Sequence, residues 1–108
     1  MTRDQIEKRL GVSHDALDAF CRKWKIVELA LFGSVLRDDF TADSDVDVLV
    51  SFASDAAWGI WDFAQAEDEL KALLNRDVDL VQREAVEQSE NYIRRQAILS
   101  SAQVLYGA

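Results

Sequence analysis

Apolar residues along the chain alternate between helical and extended spacing. Thr2, with Gln5 three positions on, has the form of a capping box and opens a short helix running to about Leu10, where Gly11 breaks it. Ser13 caps a second helix over 14–25, whose Leu17, Phe20, Cys21 and Trp24 recur at helical spacing and face a core. The run IVELALF at 26–32 ends at Gly33-Ser34 and reads as a buried strand. Residues 34–39 predict a short helix or turn, 41–44 a polar loop, and 45–52 (DVDVLVSF) a second strand. Ile60, Phe63, Leu70, Leu73 and Leu74 mark a helix over 58–75, with Glu and Asp on its other side. A third strand follows at 77–81. A last helix spans 87–101, with Ile93, Ala97 and Ile98 at helical spacing, and 102–106 is a terminal strand or extended tail. Such alternation predicts an α/β or α+β domain with a small mixed or antiparallel sheet flanked by helices.

Composition narrows the chemistry. The 108 residues fit one domain, 1–108, without repeat or linker, and a hydrophobic fraction of 49% argues for a packed core. One Cys excludes an internal disulfide, and one Cys with one His excludes a Cys/His zinc cage within the chain. His14 carries no signature of a Ser-His-Asp triad and is read as solvated. A net charge of -8 disfavours a general electrostatic grip on nucleic acid, so no direct nucleic-acid binding is expected. It leaves room for phosphates held through a cation. The N-terminus lacks an apolar signal core and no run is long enough to span a bilayer, so no membrane partner and a cytoplasmic setting are expected.

The unusual feature is Asp45-Val46-Asp47 at the entrance of an apolar strand. Residues two apart in a strand share a face, so the two carboxylates project together while Val46, Val48 and Val50 project the other way. Paired carboxylates beside a core repel unless a positive charge lies between them. A hard divalent cation such as Mg²⁺ takes such oxygens together with substrate phosphates, and Mn²⁺ fits the same donors. Asp77 and Asp79 repeat the pattern on the third strand, and either can join the first pair if the strands are neighbours. Three carboxylates suffice to hold metal ions for in-line phosphoryl or nucleotidyl displacement. Taken alone, Asp at a strand entrance is more often a turn or edge residue. Gly33-Ser34 shifts that balance, because Gly permits close backbone approach and Ser offers a hydroxyl and N–H at a helix start, where a phosphate binds well.

Together these residues resemble a known family. Gly33-Ser34, ten intervening residues and Asp45-x-Asp47 form the signature of the nucleotidyltransferase superfamily related to DNA polymerase beta. Arg37 three positions after the Ser, Ser44 just before the first Asp, and the apolar residues before Gly33 are also present. Asp38 stands where a Gly often follows the Arg, which bears on the loop's backbone shape. The resemblance implies that the third carboxylate is Asp79, in Val78-Asp79-Leu80-Val81, with Asp77 in reserve. It implies Asp45, Asp47 and Asp79 as metal-holding and catalytic residues, and Gly33, Ser34, Arg37 and Ser44 at the nucleotide. At this length the chain looks like a minimal nucleotidyltransferase, the antitoxin half of HEPN/MNT toxin–antitoxin pairs. That likeness implies ATP as donor, Mg²⁺ as metal, and AMP transfer to a tyrosine of a HEPN-domain RNase partner.

Two further readings of the same fold remain. The chain can neutralise a toxin by contact alone, or transfer a nucleotide to a small-molecule acceptor. Three clustered acids serve no need of a pure binder, and a small-molecule pocket usually needs another domain. Of the other notable residues, Trp24 and Trp61 are expected at the core or its edge, Trp58 in packing, and Cys21 buried as a small hydrophobe. Arg94-Arg95 reads as a solvated helix face, and Tyr92 and Tyr106 as packing or surface residues.

Overall fold

The structure, a computed structural model, describes residues 2–38, 40, 41 and 43–107. Asp39 and Ala42, which fall in the turn expected at 34–39 and the loop expected at 41–44, lie outside the described residues, as do residues 1 and 108. Four strands form one mixed sheet in the order β3-β2-β1-β4. Strand β1 (Ile26–Phe32) runs antiparallel to both β2 (Val46–Phe52) and β4 (Gln103–Tyr106), whereas β3 (Val78–Gln82) joins β2 in parallel. A parallel pair needs a long crossover, and helix α3 (Ile60–Leu74) supplies it.

Pleat and helical period sort the side chains into two apolar layers. On one face Leu29, Leu31, Val46, Val48, Val50 and Leu80 pack against α1 (Arg3–Leu10), α2 (His14–Lys23) and α3 through Ile6, Leu17, Phe20 and Leu70. On the other, Ala30, Phe32 and Leu49 meet Val86 of α4 (Arg83–Glu87) and Ile98 of α5 (Tyr92–Ser101). The odd positions of β2 therefore face the thinner α4–α5 layer, which is where the acids lie. The caps read at Thr2 and Ser13 are present, with the Gln5 backbone N–H donating to Thr2 Oγ1 at 3.2 Å and that of Ala16 to Ser13 Oγ at 3.1 Å. Trp24 is buried and takes Trp58 edge-on at 5.4 Å between ring centroids, while Trp58 Nε1 donates to the Trp24 carbonyl at 2.7 Å. Cys21 is fully buried, and burial, with Asp18 adding to it, pushes its thiol up to about 12, so it is no nucleophile. No helix among the described residues is long and apolar enough to cross a membrane.

Several expectations are corrected. The helix read over 87–101 starts later, at Tyr92, because Gln88–Asn91 is not helical, and Glu87 instead ends a separate short helix, α4, that the sequence reading did not give. Asn91 Oδ1 accepts from the Arg94 N–H at 3.1 Å as an N-cap, and the Asn91 N–H donates to Ser89 Oγ at 3.2 Å, local bonds that compete with a continuous helix. Trp61 is 86% exposed, not at the core: it lies off the Phe63–Ala66–Leu70–Leu74 stripe of α3. Ile60, at the overhanging start of α3, is also exposed and borders an open cleft. In α5, Ile98 is buried while Ile93, five positions earlier and off its stripe, is exposed with Ala97. His14 is not simply solvated, since Nδ1 lies 3.1 Å from Glu7 and Nε2 3.1 Å from Asp18, tying α1 to α2. Stability separates these positions. Leu70→Ala is expected to cost about 2–5 kcal/mol, and Trp61→Ala to stay within about 0.5 kcal/mol, as read by urea unfolding.

Candidate active site

The turn between β1 and β2 and the entrances of β2 and β3 meet at one end of the sheet. Asp45 stands exposed just before β2, and Asp47 is its second residue, half-buried. Parallel register sets Asp47 beside Asp79, the second residue of β3, and antiparallel register sets it beside Phe32, the last of β1. Asp47 and Asp79 thus share the α4–α5 side, and the charge of Asp45, two positions before Asp47, reaches it. Asp77 does not join them. It precedes β3, its carbonyl accepts from the Val46 N–H at 3.0 Å, and it borders a separate hollow with Asp43, Lys71, Asn75 and Arg76.

Gly33 follows Phe32 directly and lies against Asp47. Its φ of +77° is one an L side chain rarely adopts, and a Cβ there would collide with Asp47 Oδ2. A single 3-10 turn, Gly33–Leu36, continues from it, anchored by the fully buried Val35. Ser34 Oγ donates to the Asp45 carbonyl at 3.3 Å, so the turn is fastened to the acidic entrance of β2. The backbone of Arg37 closes the turn by donating to the Ser34 carbonyl at 2.9 Å.

Two arginines outside the motif hold this loop in place. Arg9 Nη1 donates to the carbonyls of Val35 (2.9 Å) and Arg37 (2.7 Å). Arg76 Nη1 donates to those of Thr41 (3.3 Å) and Ser44 (3.4 Å). Both guanidinium groups lie over the Phe40 ring, Arg76 at 4.6 Å and Arg9 at 5.9 Å. The Ser44 hydroxyl accepts from the Thr41 N–H at 3.0 Å and so serves the loop itself. Arg9 and Arg76 carry no local sequence signal, since their partners are 26 to 35 positions away.

Electrostatics at Asp47 reflect this crowding. Burial raises its carboxyl above the ordinary range, the charges of Asp79 and Asp45 raise it further, and Arg37 and Arg94 pull against them. Arg94, read from sequence as a solvated face, is therefore part of the field around the acids. The signal that points to it is its position one turn before the buried Ile98. Among the described residues the three acids lie at one end of the sheet, and their side chains do not form a ready-made three-ligand cluster. The donor set fits a hard divalent cation: three carboxylates, one of them held above the ordinary range by burial first and by the charges of the other two. A cleft of about 560 Å³ lies at the other end of β2 beside Phe52, Trp58, Ile60 and Phe63, and includes none of these acids.

Comparison with known proteins gives a consistent picture. Residues 14–103 match a family described as a nucleotidyltransferase domain. The protein adenylyltransferase MntA of Thermococcus cleftensis is 33% identical over 86 residues, 80% of this chain and 82% of that one. A Methanocaldococcus jannaschii protein named for the same activity is 39% identical over 64 residues, 59% of this chain and 63% of its own length, so that match spans under two thirds of the relative. Among solved structures, one of a minimal nucleotidyltransferase superimposes with a TM-score of 0.65 at 28% identity, covering 95% of both chains. A toxin–antitoxin complex with AMP-PNP gives 0.67 at 22% identity, over 90% of this chain and 75% of that one. The complex of tri-AMPylated Shewanella oneidensis HEPN toxin with its MNT antitoxin gives 0.55 at 21%, over 88% and 70%. At these identities the last two show the shared fold.

Proposed function

The chain belongs to the nucleotidyltransferase domain family, and we propose that it is the antitoxin of a HEPN/MNT pair, transferring AMP from ATP to a tyrosine of a HEPN-domain RNase partner. The observation that carries this reading is the Gly33-Ser34 turn lying against Asp47 and fastened to Asp45, with Asp79 beside Asp47 in register. Its support from relatives is the likeness to MntA over four fifths of the chain.

In this reading Gly33 and Ser34 cradle the triphosphate, the Gly because its backbone alone fits beside Asp47. Arg37 offers a guanidinium fork to phosphate oxygens, and Ser44 shapes the loop that aims Asp45 and Asp47. Asp45, Asp47 and Asp79 would hold Mg²⁺ or Mn²⁺, which when bound supplies the positive charge that lets a triphosphate approach three acids. The tyrosine oxygen attacks the α-phosphorus in line, the bond to the bridging oxygen of the β-phosphate breaks, and pyrophosphate departs. Asp79, exposed like Asp45, would complete the metal site or take the hydroxyl proton. A reaction drawing on ATP and an intracellular RNase places the chain in the cytoplasm.

The test is intact-mass spectrometry of the HEPN protein encoded beside this chain, incubated with it, ATP and Mg²⁺. A gain of one or more AMP units is expected, and none with the Asp45→Asn/Asp47→Asn variant. No gain with both proteins folded and nucleotide bound would overturn AMP transfer to this partner. Full toxin control by the double variant would leave a contact antitoxin instead.

A further inference from the structure

Arg94 and Arg95 are neighbours in α5 with different surroundings. Arg95 Nη1 donates to the carbonyls of Ser89 (3.1 Å) and Glu87 (3.5 Å), and its guanidinium lies 5.3 Å from the Tyr92 ring centroid. Arg95 therefore closes the α4–α5 connection. Arg94 is exposed, and among the described residues its guanidinium makes no ion pair or hydrogen bond.

The fold nevertheless sets Arg94 on the face of the sheet that carries the acids. Ile98 of α5 packs in one apolar cluster with Leu49 of β2. One helical turn back from Ile98 is Arg94, and one pleat back from Leu49 on the same face is Asp47. Arg94 also borders a recess of about 140 Å³ between β3, α4 and α5, with Val81, Val86, Ser89 and Ile98. Its charge is felt at Asp47, after the larger effects of burial, Asp79, Asp45 and Arg37. A guanidinium on the same face as a carboxylate, and without an ion pair to it, suits a group that is anionic toward α5 and cation-bridged toward the acids. A nucleotide phosphate has that chemistry.

We propose that Arg94 is a phosphate ligand of this site, closing on the nucleotide's phosphates from α5 while Gly33 and Ser34 approach from the β1–β2 turn. This rests on the reading of the chain as an ATP-using nucleotidyltransferase. Arg94's planar fork can take two phosphate oxygens, and the positive charge it adds offsets the negative charge that the three carboxylates present to a polyphosphate.

Calorimetric titration without any partner protein tests this, using AMP-PNP and, separately, inorganic tripolyphosphate, both with Mg²⁺. Arg94→Ala is expected to weaken both by about tenfold or more, the scale of a lost charge-assisted hydrogen bond. Arg94→Lys is expected to recover part of that loss, and Arg94→Ala to keep the wild-type melting temperature. Arg95→Ala is the contrast, expected to lower the melting temperature and bind AMP-PNP within about twofold of wild type once folded. Wild-type affinity of Arg94→Ala for AMP-PNP overturns the assignment, as does a loss confined to AMP-PNP with tripolyphosphate unaffected. A fall in melting temperature parallel to the lost affinity overturns it in favour of packing. If wild type binds neither probe, the ATP reading fails and takes this proposal with it, which distinguishes the two failures.

Discussion

Replacing Asp47 with Asn is expected to cut AMP transfer steeply and, at neutral pH, to raise the melting temperature. The two effects have one cause. Asp47 is the most enclosed of the three acids, flanked by Asp79 in register and by Asp45 two positions back. Burial and those two charges hold its carboxyl above the ordinary range even though Arg37 and Arg94 oppose them. Its ionised form is therefore a cost to the folded chain, one retained for what the charge does in the site. Asn keeps the shape and removes the charge. Transfer should fall by about a thousandfold, the scale of losing several kcal/mol of metal-assisted stabilisation.

The sign of the pH dependence follows. A carboxyl whose folded-state pKa is raised binds its proton more readily in the native than in the unfolded chain. Its ionisation thus removes stability as the pH rises from the ordinary carboxylate range through the raised native value. The melting temperature of Asp47→Asn minus that of wild type should be smallest at acid pH, grow across that window, and level off above it. Thermal unfolding of both proteins across the acid-to-neutral range measures this, and taking the difference cancels the carboxylates that do not interact with Asp47, so that it reports Asp47 with its coupling to Asp45 and Asp79. Adding Mg²⁺ should then narrow the gap by stabilising wild type alone. A variant that melts lower than wild type at neutral pH would mean that Asp47 is a structural hydrogen-bonding residue. One that transfers AMP normally would remove it from the chemistry.

Much of this geometry is legible in the chain because it depends on short-range periods. Val46, Val48 and Val50 alternate with Asp47 and Leu49, so one strand separates a three-helix core from an acidic face without any knowledge of its neighbours. Three apolar runs bounded by Gly, Asp and Asn likewise mark β1, β2 and β3 where they occur, to within a residue. What escapes is whatever depends on distance or on competition between local bonds. The choice between Asp77 and Asp79 turns on where β3 starts, and only register against Val46 and Asp47 decides that. The break between α4 and α5 comes from Asn91 and Ser89 capping inside a stretch with helical spacing. Ile60 and Trp61 satisfy a hydrophobic count, but α3 begins with them and overhangs the sheet's end, so nothing covers them. Arg9, Arg76 and Arg94 act on the site from three helical neighbourhoods, and a charged residue on a helix carries no mark of what lies opposite.

Gly33→Ala should silence the enzyme at little expense in stability, a result the reverse of a core mutation. Two penalties meet at this position. One is the backbone: φ is +77°, a conformation costing a residue with a Cβ about 1 kcal/mol. The other is the new methyl, which would collide with Asp47 Oδ2. That oxygen is the tip of a rotatable side chain, so the collision is relieved by turning the carboxylate away, at small cost to folding and full cost to function. Gly11→Ala is the control, since its φ of +68° is similar and a Cβ there meets nothing within 4 Å. The two variants should lose similar stability by urea unfolding, about 1 kcal/mol each. Transfer should be near wild type for Gly11→Ala and lower by about a hundredfold or more for Gly33→Ala, as a displaced reacting group brings. If Gly33→Ala instead transfers AMP at the wild-type rate, the turn tolerates a Cβ beside Asp47 and the nucleotide does not depend on its backbone.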